Sequence, residues 1–446
     1  MIRSTQFQAT ALRFSVPATA YNSLASTGAF ALARNWATLD LNGDRRVDLA
    51  LTSNPMTGAI FTTGGVTHWN VHLGTAQGFS SAPTQWVVPA NAAVAQGYNV
   101  ANSATGSNFW STIDISGDGR PDLVHTMNPL SMGPSVSMVG SPTDGWLPRR
   151  GNASGFDSNA TAMTVPRIAG LSGGLDRTVN DTSTRRWLLA ELTGDALVDL
   201  VITADPATDT VWATNRWVLC PGTATGFGAF AGCPSVSVPD NGVVGGFKSA
   251  SSFATAMRRV WQLADMNGDG RADLIQTMNS AGAITVEPFL NGTSPYWKVW
   301  LNVYGTGARD VLYAAAPTQW SIPTSAFSTP SSATAPQFLQ LMDLDGDQRA
   351  DLVQTADPST GRPFAGPSWR VFSANTTTGF SPRGAIWAVP TGPGFDVFRS
   401  VSGTSWTVID VTGDGLPDLV QFQEPNTGLA FSDSNGAFWR VYPGIP

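Results

Sequence analysis

The chain has 446 residues, a formal net charge of −7, 13% charged residues, 46 Gly and 30 Pro. Hydrophobic residues make up 42% and include 16 Trp, a composition that suits turn-rich β structure and excludes a disordered chain. It has no apolar run of 18 residues to cross a membrane, and its basic residues form no stripe of the kind nucleic-acid binding needs.

The first predicted element is a short strand, Leu12-Arg-Phe14-Ser-Val-Pro17. Next comes Trp36, four residues before the acidic cluster Asp40-Leu-Asn42-Gly-Asp44-Arg-Arg46-Val-Asp48. The same spacing then recurs five times. The copies are Asp114, Ser116, Asp118 and Asp122; Glu191, Thr193, Asp195 and Asp199; Asp265, Asn267, Asp269 and Asp273; Asp343, Asp345, Asp347 and Asp351; and Asp410, Thr412, Asp414 and Asp418. Their first residues lie 74, 77, 74, 78 and 67 positions apart. Trp110, Trp187, Trp261 and Trp406 stand four residues before their loops, as Trp36 does, whereas the fifth unit has Phe338 and Leu339 there.

Oxygens at loop positions 1, 3, 5 and 9 point inward if the segment curls tightly. The backbone carbonyl at position 7 (Arg46, Arg120, Arg271, Arg349 or Leu416) can join them. Such a set of hard oxygens suits Ca²⁺, whereas Mg²⁺ resists dehydration and demands a stricter octahedron. Gly stands at position 4 in all six copies and at position 6 in three, where a tight loop needs positive φ. The loops at Asp40, Asp265 and Asp343 carry the best donor sets. Ser116 and Thr412 are weaker donors, and the Glu191 loop is expected to be the weakest or empty. Five or six structural Ca²⁺ sites are therefore expected. Six ions would move the net charge from −7 to +5, and five would move it to +3, so the acidic balance says little about partners.

An EF-hand would place helices around the loop. Here position 9 runs into Asp122-Leu-Val-His-Thr, Asp273-Leu-Ile-Gln-Thr and Asp351-Leu-Val-Gln-Thr, a strand pattern. A loop followed by Asp-Leu-Val resembles the FG-GAP or VCBS repeat, the calcium-bearing unit of integrin-α-like β-propellers, and the resemblance covers essentially the whole chain. It implies a propeller fold and calcium. It leaves function open, because the family includes adhesion proteins, lectins, toxin subunits and domains attached to enzymes.

Each unit continues in a regular order. A turn with an acid or amide before Pro follows the second strand: Asn54-Pro55, Asn128-Pro129, Asp205-Pro206, Asp357-Pro358 and Glu424-Pro425, with Asn279-Ser280 as the exception. A third strand carries Trp69, Trp217, Trp369 or Trp439. A Gly-Phe turn comes next, as in Gly78-Phe79, Gly155-Phe156, Gly226-Phe227 and Gly379-Phe380. The fourth strand ends in Pro, as in Trp86-Val-Val-Pro89 and Trp387-Ala-Val-Pro390. Four short strands per repeat is the content of a propeller blade. The last unit stops after its third strand, Trp439-Arg-Val-Tyr-Pro, and the opening strand supplies the missing fourth. The 39 residues before Asp40 and the 37 from Asp410 onward together make one period. The expected fold is all-β: a single domain spanning 1–446, a six-bladed propeller of ~74-residue repeats closed by its N-terminal strand, with seven blades as the alternative.

Cys220 and Cys233 fall in the third and fourth strands of the third unit, and a hairpin would bring them within disulfide reach. The alternative is two reduced buried thiols. A disulfide and calcium both point to a secreted or cell-surface protein. The N-terminal Met-Ile-Arg-Ser-Thr-Gln has no apolar signal region.

Candidate ligand residues are Trp36, Trp110, Trp187, Trp261 and Trp406, as platforms for sugar rings or as core between blades. His125, Gln276, Gln354 and Gln421 share the position eleven after the first loop acid, where Leu51 and Ile202 also occur. They would hydrogen-bond sugar hydroxyls or satisfy buried backbone groups. No catalytic residues are assigned. His68 and His72 share a strand face, but that spacing puts them about 13 Å apart. No phosphate loop is present. The leading functional reading is a calcium-stabilised, lectin-like propeller with repeated glycan sites between blades. The first alternative is an adhesion or scaffold propeller binding a protein through the irregular stretch Glu287–Tyr313. The second is a polysaccharide lyase or hydrolase using one of the three His and one of the six Tyr.

Overall fold

Each acidic loop opens a strand on its last Asp: Asp48–Leu51, Asp122–His125, Asp199–Ile202, Asp273–Gln276, Asp351–Gln354 and Asp418–Gln421. In all six, the Leu and the apolar residue after it are 0% exposed. Successive side chains on a strand point to opposite faces, so each of these strands needs packing on both sides.

The computed structural model describes residues 6–445 apart from 26–35, 91–96, 106–107, 127–137, 141–142, 169–174, 176–179, 183–184, 206–214, 240–246, 248–251, 255–257, 279–287, 306–310, 324–338, 356–363, 365–367, 375–377 and 391–404. The expected turns at Asn128-Pro129, Asn279-Ser280 and Asp357-Pro358, with Pro206, Lys248, Glu287 and Phe338, lie outside the described residues. The protein is all-β. Among the described residues there is no α-helix, only the 3-10 turn Phe230–Gly232.

The architecture is propeller-like, built from small antiparallel sheets. In the first unit the order is Trp36–Leu39, Asp48–Leu51, Val66–His72 and Thr84–Val87. Five further sheets contain the same four-strand order. In the last of them, Trp406–Ile409, Asp418–Gln421 and Gly436–Tyr442 are joined by Leu12–Ser15 from the other end of the chain. The register there is Leu12↔Val441, Arg13↔Arg440, Phe14↔Trp439 and Ser15↔Phe438.

The Gly-Phe turns join one unit to the next. Gly78 bridges in parallel to Ser15, Gly155 to Val87, Gly226 to Thr164 and Gly379 to Ser321, each on the fourth strand of the preceding unit. Gly78 sits at φ +135°, and an added Cβ would lie 2.3 Å from the Ser15 nitrogen, so no other residue fits there.

Among the described residues the core forms six clusters, each shared by two successive units. The first unit's Leu41, Ala50 and Trp69 pack with the second unit's Trp110 and Leu123. The sixth cluster joins Val411, Val420 and Trp439 of the last unit to Leu49 and Phe79 of the first. At the centre of each third strand a Trp is buried: Trp69, Trp146, Trp217, Trp297, Trp369 and Trp439, at 0–1% exposure. Where Trp is buried, its N–H needs an acceptor. Trp69, Trp146, Trp217 and Trp439 donate to the carbonyls of Tyr98, Leu175, Phe247 and Tyr21 at 2.6–2.8 Å, in the connections leading to the next unit. The Cys220–Cys233 disulfide is formed, with 4.6 Å between Cα atoms, and staples the third-unit hairpin.

Candidate metal loops and an inter-unit cleft

The six loops share one hydrogen-bond scheme. One oxygen of the position 1 carboxylate accepts from the position 4 Gly N–H at 2.6–2.8 Å: Gly43 to Asp40, Gly117 to Asp114, Gly194 to Glu191, Gly268 to Asp265, Gly346 to Asp343 and Gly413 to Asp410. The position 5 carboxylate accepts from the position 7 N–H in every loop, for example Arg46 to Asp44 at 2.8 Å and Leu416 to Asp414 at 2.9 Å. Position 6 takes positive φ throughout, at Gly119, Gly270 and Gly415 and also at Arg45 (70°), Ala196 (66°) and Gln348 (69°). Non-glycine residues pay for that conformation, so the loop geometry is imposed even where the sequence does not favour it.

Position 9 has a structural role that its spacing did not reveal. Each of these Asp residues is 0% exposed. In the first unit Asp48 accepts from Leu41 N–H at 2.9 Å through one oxygen and from Gly74 N–H at 2.7 Å through the other. The same clasp ties loop to third-strand exit in the other five units, through Gly151, Gly222, Asn302, Ala374 and Gly444. Burial, with like charges of the same loop adding to it, pushes Asp48 and Asp199 up to about 6 and Asp273 and Asp351 up to about 7. Burial likewise raises Asp418 to about 6 and shifts Asp122 upward.

The donor chemistry fits a hard cation. Oxygens of Asp343, Asp345 and Asp351 lie within 4.8 Å of one another. Glu191 Oε2 and Thr412 Oγ1, at ligand positions of two other loops, are buried with no hydrogen-bond partner among the described residues. A carboxylate oxygen that accepts one N–H keeps a lone pair for a metal. The residues that would hold the ion are those at positions 1, 3, 5 and 9, with the position 7 carbonyl. Asp347 departs from this set. Its Oδ2 takes the Arg349 guanidinium at 2.7 and 3.1 Å instead.

The position 7 side chains do something else. Arg120 packs on Gly43 of the preceding loop, Leu197 on Gly117, Arg271 on Gly194, Arg349 on Gly268, Leu416 on Gly346, and Arg46 on Gly413 of the last loop. A Cβ added at any of these glycines would lie 2.6–3.0 Å from the intruding side chain. The contacts return to their start after six loops. Arg120 and Arg46 also donate through Nε to the position 3 carbonyls of Asn42 and Thr412. Two of these arginines also lie near a carboxylate of their own loop. Arg349 pairs closely with Asp347, whereas Arg46 stands 3.9 Å from Asp44.

The residues considered as ligand contacts are placed differently. Trp110, Trp187, Trp261 and Trp406 are 0–7% exposed and belong to the inter-unit core, so they offer no open ring face, and Trp36 is half-buried, donating to Ser23 carbonyl at 3.3 Å. His125, Gln276, Gln354 and Gln421 are buried too. A His–Tyr pair does form, with Tyr98 Oη 3.2 Å from His125 Nδ1. Both are buried, and burial lowers His125 to about 4, so the pair is neutral and sealed at neutral pH.

An open site lies between the second and third units. Trp69, Trp297 and Trp369 face Trp86, Trp320 and Trp387 across the ladder, whereas Trp146 faces Met163, Trp217 faces Val236 and Trp439 faces Phe14. The cleft, ≈ 90 Å³, is lined among others by Ser116, Arg150, Asp157, Asn159, Thr161 and Thr223. Asp157 accepts from Asn152 Nδ2 at 3.0 Å through Oδ1. Arg150 and Asn159 line the cleft, are exposed, and make no side-chain hydrogen bond among the described residues.

No protein-family profile matches the chain, and no curated protein matches it. Solved structures do. A chain of the Photorhabdus luminescens Tc holotoxin pore aligns over 98% of this chain, with 16% identity and a TM-score of 0.51. This chain spans 15% of that one's length. An Agrocybe aegerita lectin, described for its recognition of non-reducing terminal N-acetylglucosamine, aligns over 98% of this chain and 88% of its own, with 18% identity and a TM-score of 0.45. The likeness to the toxin chain is one of fold. No described helix is long and apolar enough to cross a membrane.

Proposed function

We propose that this chain is a six-bladed β-propeller of the FG-GAP or VCBS kind, braced by calcium in its acidic loops, that binds carbohydrate between neighbouring blades. Six four-strand sheets, six shared core clusters and a loop-to-loop contact cycle of six support the blade number. The all-oxygen loops and the orphaned Glu191 Oε2 and Thr412 Oγ1 support the metal, which would neutralise the clustered carboxylates when bound.

The observation that carries the carbohydrate reading is the cleft between the second and third units. Carboxylate, amide, guanidinium and hydroxyl groups converge there, the mixture of donors and acceptors that a ring of hydroxyls requires. Its size admits part of one sugar rather than an extended chain. This reading places the principal site at this junction. Titration calorimetry with a panel of monosaccharides tests it. One sugar should bind at one site per chain, and Asp157→Ala should weaken it at least tenfold without changing the melting temperature. Silence across the panel, or binding indifferent to Asp157→Ala, Asn159→Ala and Arg150→Ala, contradicts it.

A further inference from the structure

A second surface is set up in three consecutive units. At the position after the core Trp of the third strand, the first three units carry Asn70, Leu147 and Val218, and the last three carry Lys298, Arg370 and Arg440. Each cation lies over a phenylalanine ring: Lys298 Nζ is 4.2 Å from the Phe289 centroid, Arg370 Cζ 4.8 Å from Phe364, and Arg440 Cζ 4.0 Å from Phe431. Arg370 and Arg440 are exposed and Lys298 is half-buried. None of the three has a carboxylate within salt-bridge distance among the described residues. The nearby Asp433 is already held by Arg13 at 2.9 Å.

The same three units carry Gln directly across the ladder from the cation: Gln276 opposite Lys298, Gln354 opposite Arg370 and Gln421 opposite Arg440. Gln276 Oε1 and Gln354 Nε2 are buried with no hydrogen-bond partner among the described residues. The amides are sealed from solvent, whereas the exposed guanidiniums have no protein counter-charge among the described residues and are open to an anionic partner. The ring beneath each cation fixes it before any ligand arrives, so less side-chain entropy is lost on binding.

We infer that this sector binds an extended acidic polysaccharide, with its carboxylate or sulfate groups on Lys298, Arg370 and Arg440. A guanidinium matches a carboxylate in two parallel hydrogen bonds, and three cations in register along successive units match a chain with charge at intervals. A nucleic acid fits less well, because the cations cover the aromatic faces on which bases would stack. The inference rests on the carbohydrate reading of the protein but uses different residues from the cleft.

The test measures binding of the whole chain to polygalacturonate and dextran sulfate at low and high salt. Neutral dextran, poly-glutamate and single-stranded poly-dT serve as comparators. Polygalacturonate or dextran sulfate should bind at low salt and weaken as salt rises. The exposed double variant Arg370→Ala/Arg440→Ala should lose at least tenfold in affinity, Arg370→Lys/Arg440→Lys should lose less, and Asp157→Ala should bind normally. Equal binding by wild type and the double alanine variant overturns the inference, as does failure of both polyanions to bind at low salt. Binding of poly-glutamate or poly-dT as tight as that of the polysaccharides reassigns the surface to another class of partner and overturns it too. Monosaccharide binding at the cleft without polyanion binding leaves the cleft reading standing and removes this one alone.

Discussion

The residue that decides most is the Asp at loop position 9. Its spacing marked it as a metal ligand, and its burial and two backbone N–H partners make it a clasp between loop and third strand as well. That part was illegible because the second partner lies 23–29 residues further on and identical residue types serve both roles. The two roles separate by mutation. Asp48→Ala strands two buried donors at about 1–3 kcal/mol each, so it should destabilise the protein even in chelator. Asp44→Ala should cost stability only when calcium is present. Urea melts of both variants with and without EDTA check this, and equal behaviour in EDTA contradicts the clasp. The titration of these clasps also has a sign. A carboxylate whose pKa is raised from about 4 to 6–7 on folding holds its proton more tightly in the folded state. Its stabilising contribution is complete below the unfolded pKa and is lost as pH rises through the folded one. Metal-free protein should therefore gain several degrees of melting temperature between pH 7.5 and pH 5. With saturating calcium the ions favour the charged form and the trend should reverse.

At the scale of the element, the second strands and the fourth strand supplied by the N-terminus were legible, because Asp-Leu-Val recurs and Leu12–Ser15 had no unit of its own. Less obvious was the contribution of Gln6–Phe7, which pairs with Gly444–Ile445. This pair reproduces the Gly74–Thr75 and Gly78–Phe79 hairpin of the first unit from two chain ends. A signal was present. Phe7 precedes Phe14 by seven residues, as Phe79 precedes Trp86 and Phe380 precedes Trp387. Phe7 is 3% exposed and meets the edges of Trp369 and Trp387 at 5.5 and 5.8 Å. Phe7→Ala should cost about 3–5 kcal/mol, far more than the substitution of a terminal residue usually does. A loss below about 1 kcal/mol in equilibrium unfolding shows that the terminus closes the last sheet through Leu12–Ser15 alone. The Trp residues show the opposite failure. A Trp in nearly every unit could be platform or core from sequence alone, and only burial decides, because both uses favour the same large ring.

For the whole molecule, contacts between neighbouring units repeat around the chain and join its two ends. The apolar clusters, the parallel Gly-Phe bridges and the position 7 side chains all link one unit to the next, and all three also link the last unit to the first. The period of the loops announced this arrangement. The sequence could not show the cleft between the second and third units, nor the Gln and cation pairs of the last three units as one surface. Both depend on which residues the fold brings side by side. The central claim is a closed ring of loops held by calcium, and its direct test is calcium stoichiometry measured together with thermal unfolding. Elemental analysis after dialysis against calcium should find five or six ions per chain, and the protein should unfold in one transition that EDTA lowers substantially. No bound calcium, with a melting curve unchanged by EDTA, contradicts the account.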